Sequence, residues 1–297
     1  MLPQGFASRS ATIDDADAIY RLMAAGEIRW HGRAEVAADA VAADLQRPEL
    51  DRERDTLLVE AANGDLAGWA WLHLAKRAQI DVHPSYWGLG IGTALLDWAE
   101  GRSREEGSEW LAQAVDDADK AGTDLLRSRG YEVLATNWLL ERPITTPGPR
   151  NVPAGVTLSR YDEARAHEVY ELIEGAFSEF QQRRKSYDEW SRLTVERSTF
   201  RPDASTLAYA DDELIGAVIA LDLPETDEGY VQQLAVRADQ RGNGVARAML
   251  DDTCAEFHRL GRRDCILWTH SGTGALGMYE RLGMRVRRST TVYRRTH

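Results

Sequence analysis

A glycine-bearing segment occurs twice in this chain, the second time 154 residues after the first (82 to 236, and 88 to 242). Val82-His83-Pro84 leads into Gly88-Leu89-Gly90-Ile91-Gly92-Thr93-Ala94-Leu95-Leu96. Val236-Arg237-Ala238 leads into Gly242-Asn243-Gly244-Val245-Ala246-Arg247-Ala248-Met249-Leu250. Upstream, Asp65-Leu66-Ala67-Gly68-Trp69-Ala70 parallels Glu213-Leu214-Ile215-Gly216-Ala217-Val218, and downstream Arg129-Gly130-Tyr131 parallels Leu282-Gly283-Met284. Such matches in one order mean a tandem repeat of one domain. The 297 residues leave each copy the length of an ordinary domain.

The joint is marked by proline. Pro143, Pro147, Pro149 and Pro153 fall close together, removing backbone donors and favouring extended chain. The stretch Arg142–Gly155 therefore reads as a linker. The expected division is an N-terminal domain over 1–142, a linker over 143–153 and a C-terminal domain over 154–297.

The second copy shows its elements most clearly. Ala166, Val169, Tyr170, Ile173 and Phe177 give Glu163–Phe180 helical periodicity, and a further helix is expected around Tyr187–Arg197. Thr206–Ala210 and Leu214–Leu221 read as a hairpin across Asp211-Asp212-Glu213. Gly229–Val236 is a third strand, followed by the glycine loop and a helix Val245–Leu260 that Gly261 stops. A strand Asp264–Thr269, a short helix Thr273–Arg281 and a strand Met284–Tyr293 complete the copy. The expected class is α/β with a mixed sheet in each of two tandem domains: mostly antiparallel, with one parallel strand pair, flanked by helices.

Composition excludes several functions. Lys plus Arg is 36 against 48 for Asp plus Glu, a net charge of −12, which disfavours nucleic acid and anionic membrane as partners. Met1–Ser10 lacks the apolar core of a secretory signal, and the apolar run around Leu214–Leu221 is too short for a membrane span. A cytoplasmic protein is expected. Two cysteines, Cys254 and Cys265, exclude a disulfide scaffold and a cysteine-based zinc site, and no metal is expected.

The chemistry lies in the loop. A glycine turn between strand and helix offers backbone N–H groups and the positive end of a helix dipole, a cradle for phosphate or pyrophosphate. Gly242 and Gly244 permit close approach, and Arg241 can add a charge-assisted contact. A nucleotide P-loop would end in Gly-Lys-Ser/Thr, which is absent. A dinucleotide fold wants a third glycine where Arg247 and Thr93 stand. An acyl-CoA pyrophosphate loop and a plain glycine turn remain.

Arg241-Gly242-Asn243-Gly244-Val245-Ala246, after the strand Gln233-Leu234-Ala235-Val236, resembles the Arg/Gln-x-x-Gly-x-Gly/Ala signature of the GCN5-related N-acetyltransferases. Ala275-Leu276-Gly277-Met278-Tyr279-Glu280-Arg281-Leu282-Gly283-Met284 is similar to that family's Ala-x-x-x-Tyr-x-x-x-Gly-Phe segment, with Met for Phe. The resemblance covers both halves, in a mycothiol-synthase-like layout. It implies that Gly229–Val236 and Asp264–Thr269 splay apart to admit the pantetheine arm of acetyl-CoA. It implies further that the backbone at Leu234, Ala235 and Val236 holds that arm, and that the loop Arg241, Gly242, Asn243, Gly244, Val245, Ala246 holds the pyrophosphate. The amine of a small molecule would then attack the thioester directly in a ternary complex.

Tyr279, on the family's tyrosine position, is the expected acid for the departing thiolate. Glu228 and His270 are rival candidates for the base, and Gln232 or Gln233 is expected to face the acceptor. A carboxylate is expected near Tyr230 in the mycothiol-synthase layout, where this sequence departs. In the first copy, Trp87 stands in place of Arg241, and Leu126, four residues before Gly130, in place of Tyr279. The N-terminal domain is therefore expected to be catalytically silent. The competing reading is a degenerate pair kept as a ligand-binding or scaffolding module. The run Arg183-Arg184-Lys185 reads as a solvated helix end, Trp69 or Trp71 and Cys254 as core, and Trp190 as an apolar wall of the acceptor cleft.

Overall fold

The computed structural model describes residues 2–36, 38–146, 148, 151–178, 183–223 and 226–297. Pro147 and Pro149 of the expected linker, and the expected end of the first helix of copy two at Phe180, lie outside them.

The chain divides into two units, Met1–Thr136 with Ser289–His297, and Asn137–Arg288. These bounds differ from a cut in the proline-rich stretch, because strand pairing rather than proline content decides membership. In the first unit, β1 (Phe6–Arg9), β2 (Thr56–Ala61), β3 (Leu66–His73), β4 (Arg77–Val82) and β5 (Trp110–Asp116) lie side by side in that order. Strand β6 (Glu132–Pro143) does not close this sheet. Its residues Asn137–Pro143 pair antiparallel with β11 (Asp264–His270) of the second unit. The last strand of the chain, β12 (Arg285–Thr296), closes the first sheet instead, with Thr290–Thr296 antiparallel to β5. The repeats have exchanged their final strands.

The second unit has the matching order: β7 (Val156–Arg160), β8 (Thr206–Ala210), β9 (Glu213–Leu223), β10 (Glu228–Val236), then β11 and the end of β6. One face of the first sheet carries α1 (Ala16–His31) over Leu58, Trp69 and Trp71. The other carries α4 (Ile91–Glu105) over Val59, Ala67 and Ala70. In the second unit α6 (Ala166–Phe177) and α7 (Tyr187–Leu193) cover Leu207, Ala217, Ile219 and Ala235. On the opposite face, α8 (Val245–Arg259) brings Met249, Cys254 and Phe257 onto Val218, Val231 and Leu234. The expected helix at Thr273–Arg281 is shorter, α9 (Leu276–Arg281), because Ser271–Thr273 is a 3-10 turn and Gly274 takes φ +62°.

Strand alternation explains both cores. In β9 Val218 and Ala220 join the α8 core while Ala217 and Ile219 join the α6–α7 core, the mark of a strand buried on both faces. Trp69 and Trp71, two residues apart on β3, share a face and are both buried under α1, while Ala70 between them joins the opposite core.

Candidate active site

In each unit one strand pair is parallel, and in each it comes apart. Strands β10 and β11 pair only at Glu228↔Asp264, Gly229↔Cys265 and Tyr230↔Ile266, although β10 continues to Val236 and β11 to His270. Strands β4 and β5 pair only at Arg77↔Ala112 and Ala78↔Gln113. The splay expected from the sequence is present in both copies.

Strand β10 leads into a helix start whose donors are left open. Gly244 sits at the N-cap of α8 with φ +83° and no side-chain cap, and the first turn holds no acidic residue. The amide donors of that turn thus lack a side-chain acceptor of their own. Gly242 has φ +82° and open space where a side chain would stand. Arg241 donates from Nε to the Val236 carbonyl at 3.1 Å, which ties the loop to the end of β10. An oxygen-rich anion fits this geometry by charge and by donor count.

Tyr279 lies in α9, buried against the α8 core. Burial, with a smaller effect from Cys265, pushes its phenol up to about 12, so it remains a donor throughout the neutral range. Two arginines fix its helix. Arg247, in the first turn of α8, donates to the Arg281 carbonyl, and Arg142 donates to the Leu282 carbonyl at 3.0 Å and to Asp251 at 2.8 Å. Both brace the carbonyl end of α9, where cations are favoured. Neither role is legible in the sequence; an arginine in place of a third glycine is the only signal, and Arg142 arrives on the exchanged strand.

The two base candidates stand apart. Glu228 is 2 % exposed and accepts from Arg287 at 2.6 Å, on the stretch where β10 is still paired with β11. His270 ends β11, four residues beyond the last paired position, or roughly 13 Å along a strand. Its ring has no hydrogen-bond partner among the described residues and lies against Gly272. Burial raises the Tyr230 phenol, which faces Arg197.

Gln232 and Gln233 do not simply alternate. Strand β10 carries a bulge against β9 between Val231 and Gln233, so Gln232 is the inserted residue. Gln233 is held by Trp190, whose Nε1 donates to its Oε1 at 2.9 Å. Trp190 is fully buried and belongs to the core under α6 and α7 rather than to a cleft wall. The basic run is also structural: Arg183, Arg184 and Lys185 pair with Glu189, Glu171 and Glu174. Cys254 and Cys265 are buried in the α8 core, and a hydrogen bond between the thiols, with burial, pushes Cys265 up. No group of three or more His, Cys, Asp or Glu side chains is arranged to hold a metal among the described residues. No helix there is long and apolar enough to cross a membrane.

The first copy repeats the scaffold with other side chains at the positions of Arg241 and Tyr279. Gly90 caps α4 with φ +84° and no side-chain acceptor. Trp87 makes the contact that Arg241 makes, donating from Nε1 to the Val82 carbonyl at 2.7 Å, and stacks on Trp30 at 5.3 Å. Leu126 occupies the position of Tyr279 and is core.

A family model described as "Acetyltransferase (GNAT) family" matches residues 19–131 and again 166–284. The chain belongs to this family. Its GNAT fold, doubled along the sequence, makes it an acetyl-CoA-dependent N-acetyltransferase. It is 28% identical over 274 residues to a mycothiol acetyltransferase of Geodermatophilus obscurus, covering 84% of this chain and 87% of the relative. With a mycothiol acetyltransferase of Streptomyces coelicolor it shares 26% identity over 250 residues, 80% of this chain and 79% of the relative. Among solved structures, a GCN5-related N-acetyltransferase from Sphaerobacter thermophilus superposes with TM-score 0.83 at 25% identity, covering 100% of this chain and 97% of that one. A tandem GNAT protein from the clavulanic acid biosynthesis pathway shares the fold, with TM-score 0.72 at 18% identity and 98% of each chain covered.

Proposed function

We propose that the second copy transfers the acetyl group of acetyl-CoA to the amine of a small molecule by direct attack in a ternary complex, and that the first copy is catalytically silent. The observation that carries this reading is the joint presence, in one copy only, of Arg241 at the open loop and of the braced Tyr279. Mycothiol acetyltransferases among the relatives support a small polar amine as acceptor. Acetyl-CoA supplies the acetyl group, and coenzyme A leaves as the free thiol.

In this reading the loop Arg241–Ala246 takes the pyrophosphate on the open donors of α8. The backbone of Leu234–Val236, freed from β11, aligns the pantetheine arm. The acceptor approaches from the α6–α7 face, where Tyr230 and Gln232 come at and just after the last paired residues. Tyr279 supports the leaving sulfur as a hydrogen-bond donor. A phenol near 12 is a weaker acid than a thiol at about 8.5, so full proton transfer is completed with solvent.

For the base, Glu228 is committed to Arg287, and the His270 ring at the end of β11 has no orienting hydrogen-bond partner among the described residues. The amine proton is therefore assigned to solvent, with the acceptor reacting as its free base. The test is the acidic limb of kcat/KM measured with two amines of different basicity. It should move with the amine and survive in Glu228→Gln and His270→Ala. A limb that ignores the amine and disappears in one variant identifies that residue as the base. The activity itself is tested by thiol release from acetyl-CoA across a panel of small amines; no acceptor-dependent release would leave the scaffolding reading.

A further inference from the structure

Both copies place a glutamine at the same position of the strand that leaves its parallel partner, Gln79 on β4 and Gln233 on β10. Each accepts an indole N–H. Gln79 takes it from Trp71, directly opposite on β3, at 3.0 Å. At the corresponding site on β9 the residue opposite Gln233 is Ile219, which has no donor to offer. The donor comes instead from another element, Trp190 of α7.

The bulge differs in step with this change. Strand β4 runs against β3 without interruption from Arg77 to Val82. Strand β10 has its inserted residue, Gln232, immediately before Gln233 and two residues after the last pairing with β11. A bulge bends its strand and raises the local twist, so it assists the departure of β10 from β11. Trp190 is well placed to fix it. Its helix starts in a capping box of Ser186 and Glu189, its carbonyl accepts from Thr194 Oγ1 at 2.6 Å, and the side chain is fully buried.

We infer that Trp190 and Gln233 form a positioning pair: the hydrogen bond holds the β10 bulge, and with it the strand backbone that must align the thioester, in register with α7. This rests on the acetyl-transfer reading for its kinetic consequence but not for its structural one. Trp190→Phe removes the donor and retains the apolar ring; Gln233→Leu removes the acceptor at similar volume.

The test measures kcat and the acetyl-CoA KM beside amide hydrogen exchange at Tyr230–Leu234. Either variant should lower kcat about tenfold or more, the scale of a small misplacement of reacting groups, with KM within about two-fold. Exchange should quicken at Val231–Leu234. The double variant should be no worse than either single, because both remove one contact. Trp71→Phe, which removes the matching bond in the first copy, should leave kcat unchanged. Unaltered kcat and exchange in Gln233→Leu would overturn the inference, as would losses that multiply in the double variant. If Trp190→Phe fails to fold, Gln233→Leu still decides. A wild-type protein inert towards every amine would sink the acetyl-transfer reading, while exchange would still judge the pair.

Discussion

The two copies share a strand order, a splayed parallel pair and an uncapped helix behind a glycine turn, yet they diverge where a reaction needs side chains. At the loop, Arg241 and Trp87 make the same hydrogen bond to the strand that precedes them, so tryptophan in place of arginine keeps that tie and removes a cation. At the helix after the splay, Leu126 packs where Tyr279 carries a hydroxyl. On the leaving strand, β10 has a bulge and β4 has none. The backbone is thus shared where packing and hydrogen bonding require it, and the side chains differ at the positions to which the proposed reaction gives a role.

The largest expected break of this comparison is Tyr279→Phe. Removing a donor aimed at a developing charge typically costs about 10²-fold in kcat, and this variant should lose about that much while its acetyl-CoA KM changes little. The counterpart Leu126→Ala should leave the kcat of folded protein intact while lowering stability by about 2–5 kcal/mol, the cost of a cavity at a buried leucine. Steady-state kinetics beside chemical denaturation reads both. A Phe variant with wild-type kcat would reduce Tyr279 to the packing role that Leu126 has.

Glu228 sharpens the contrast next. Glu228→Gln leaves the buried Arg287 with a neutral near partner and the more distant Glu141 carboxylate at 3.5 Å, so the cost should stay below the roughly 3 kcal/mol of a fully broken buried ion pair. The expected result is a clear drop in unfolding free energy with kcat reduced less than about tenfold. A larger loss of kcat at unchanged stability would return Glu228 to the candidates for the base.

The smallest effect is a matter of pH. Burial raises the Tyr279 phenol from 10.0 to about 12. The unfolded chain therefore releases this proton first as the pH rises, and the stability the buried phenol contributes is present in full below pH 10 and is lost towards 12. Over the same range Tyr279 stays protonated, so kcat should show no alkaline fall below about pH 10 that the Phe variant lacks. A fall near neutrality present only in the wild type would place the phenol in a more ionised state than its burial allows.

Much of this is legible in the sequence. Period-two and period-3.6 patterns locate the second copy's hairpin, β11 and α8 within a few residues, because both sheet faces demand apolar side chains. The glycine loop is legible because only a residue without Cβ readily takes φ near +83° at a helix start. The exchange of β6 and β12 is not. Those two strands occupy matching places in the repeat, and no local pattern states which sheet edge each one joins. The arginine braces on α9 and the tie from Trp190 to Gln233 are hidden for the same reason, since each joins residues whose proximity only the fold creates. Trp190 reads wrongly as a cleft wall because a large aromatic in a polar helix looks the same from sequence whether it lines a cleft or fills a core.

The central claim, that the second copy alone carries acetyl-CoA for the reaction, is tested most directly by a matched pair of glycine substitutions. Gly90 and Gly244 take φ +84° and +83°, and a Cβ at each would meet only a proline, Pro3 at 3.7 Å and Pro153 at 3.6 Å. Valine at either site should therefore carry the same backbone strain, at least about 1–2 kcal/mol, and the same fall in thermal midpoint is expected. With folding matched, kcat/KM for acetyl-CoA should drop about tenfold or more in Gly244→Val and stay within about two-fold of wild type in Gly90→Val. Equal losses in the two variants would contradict the account.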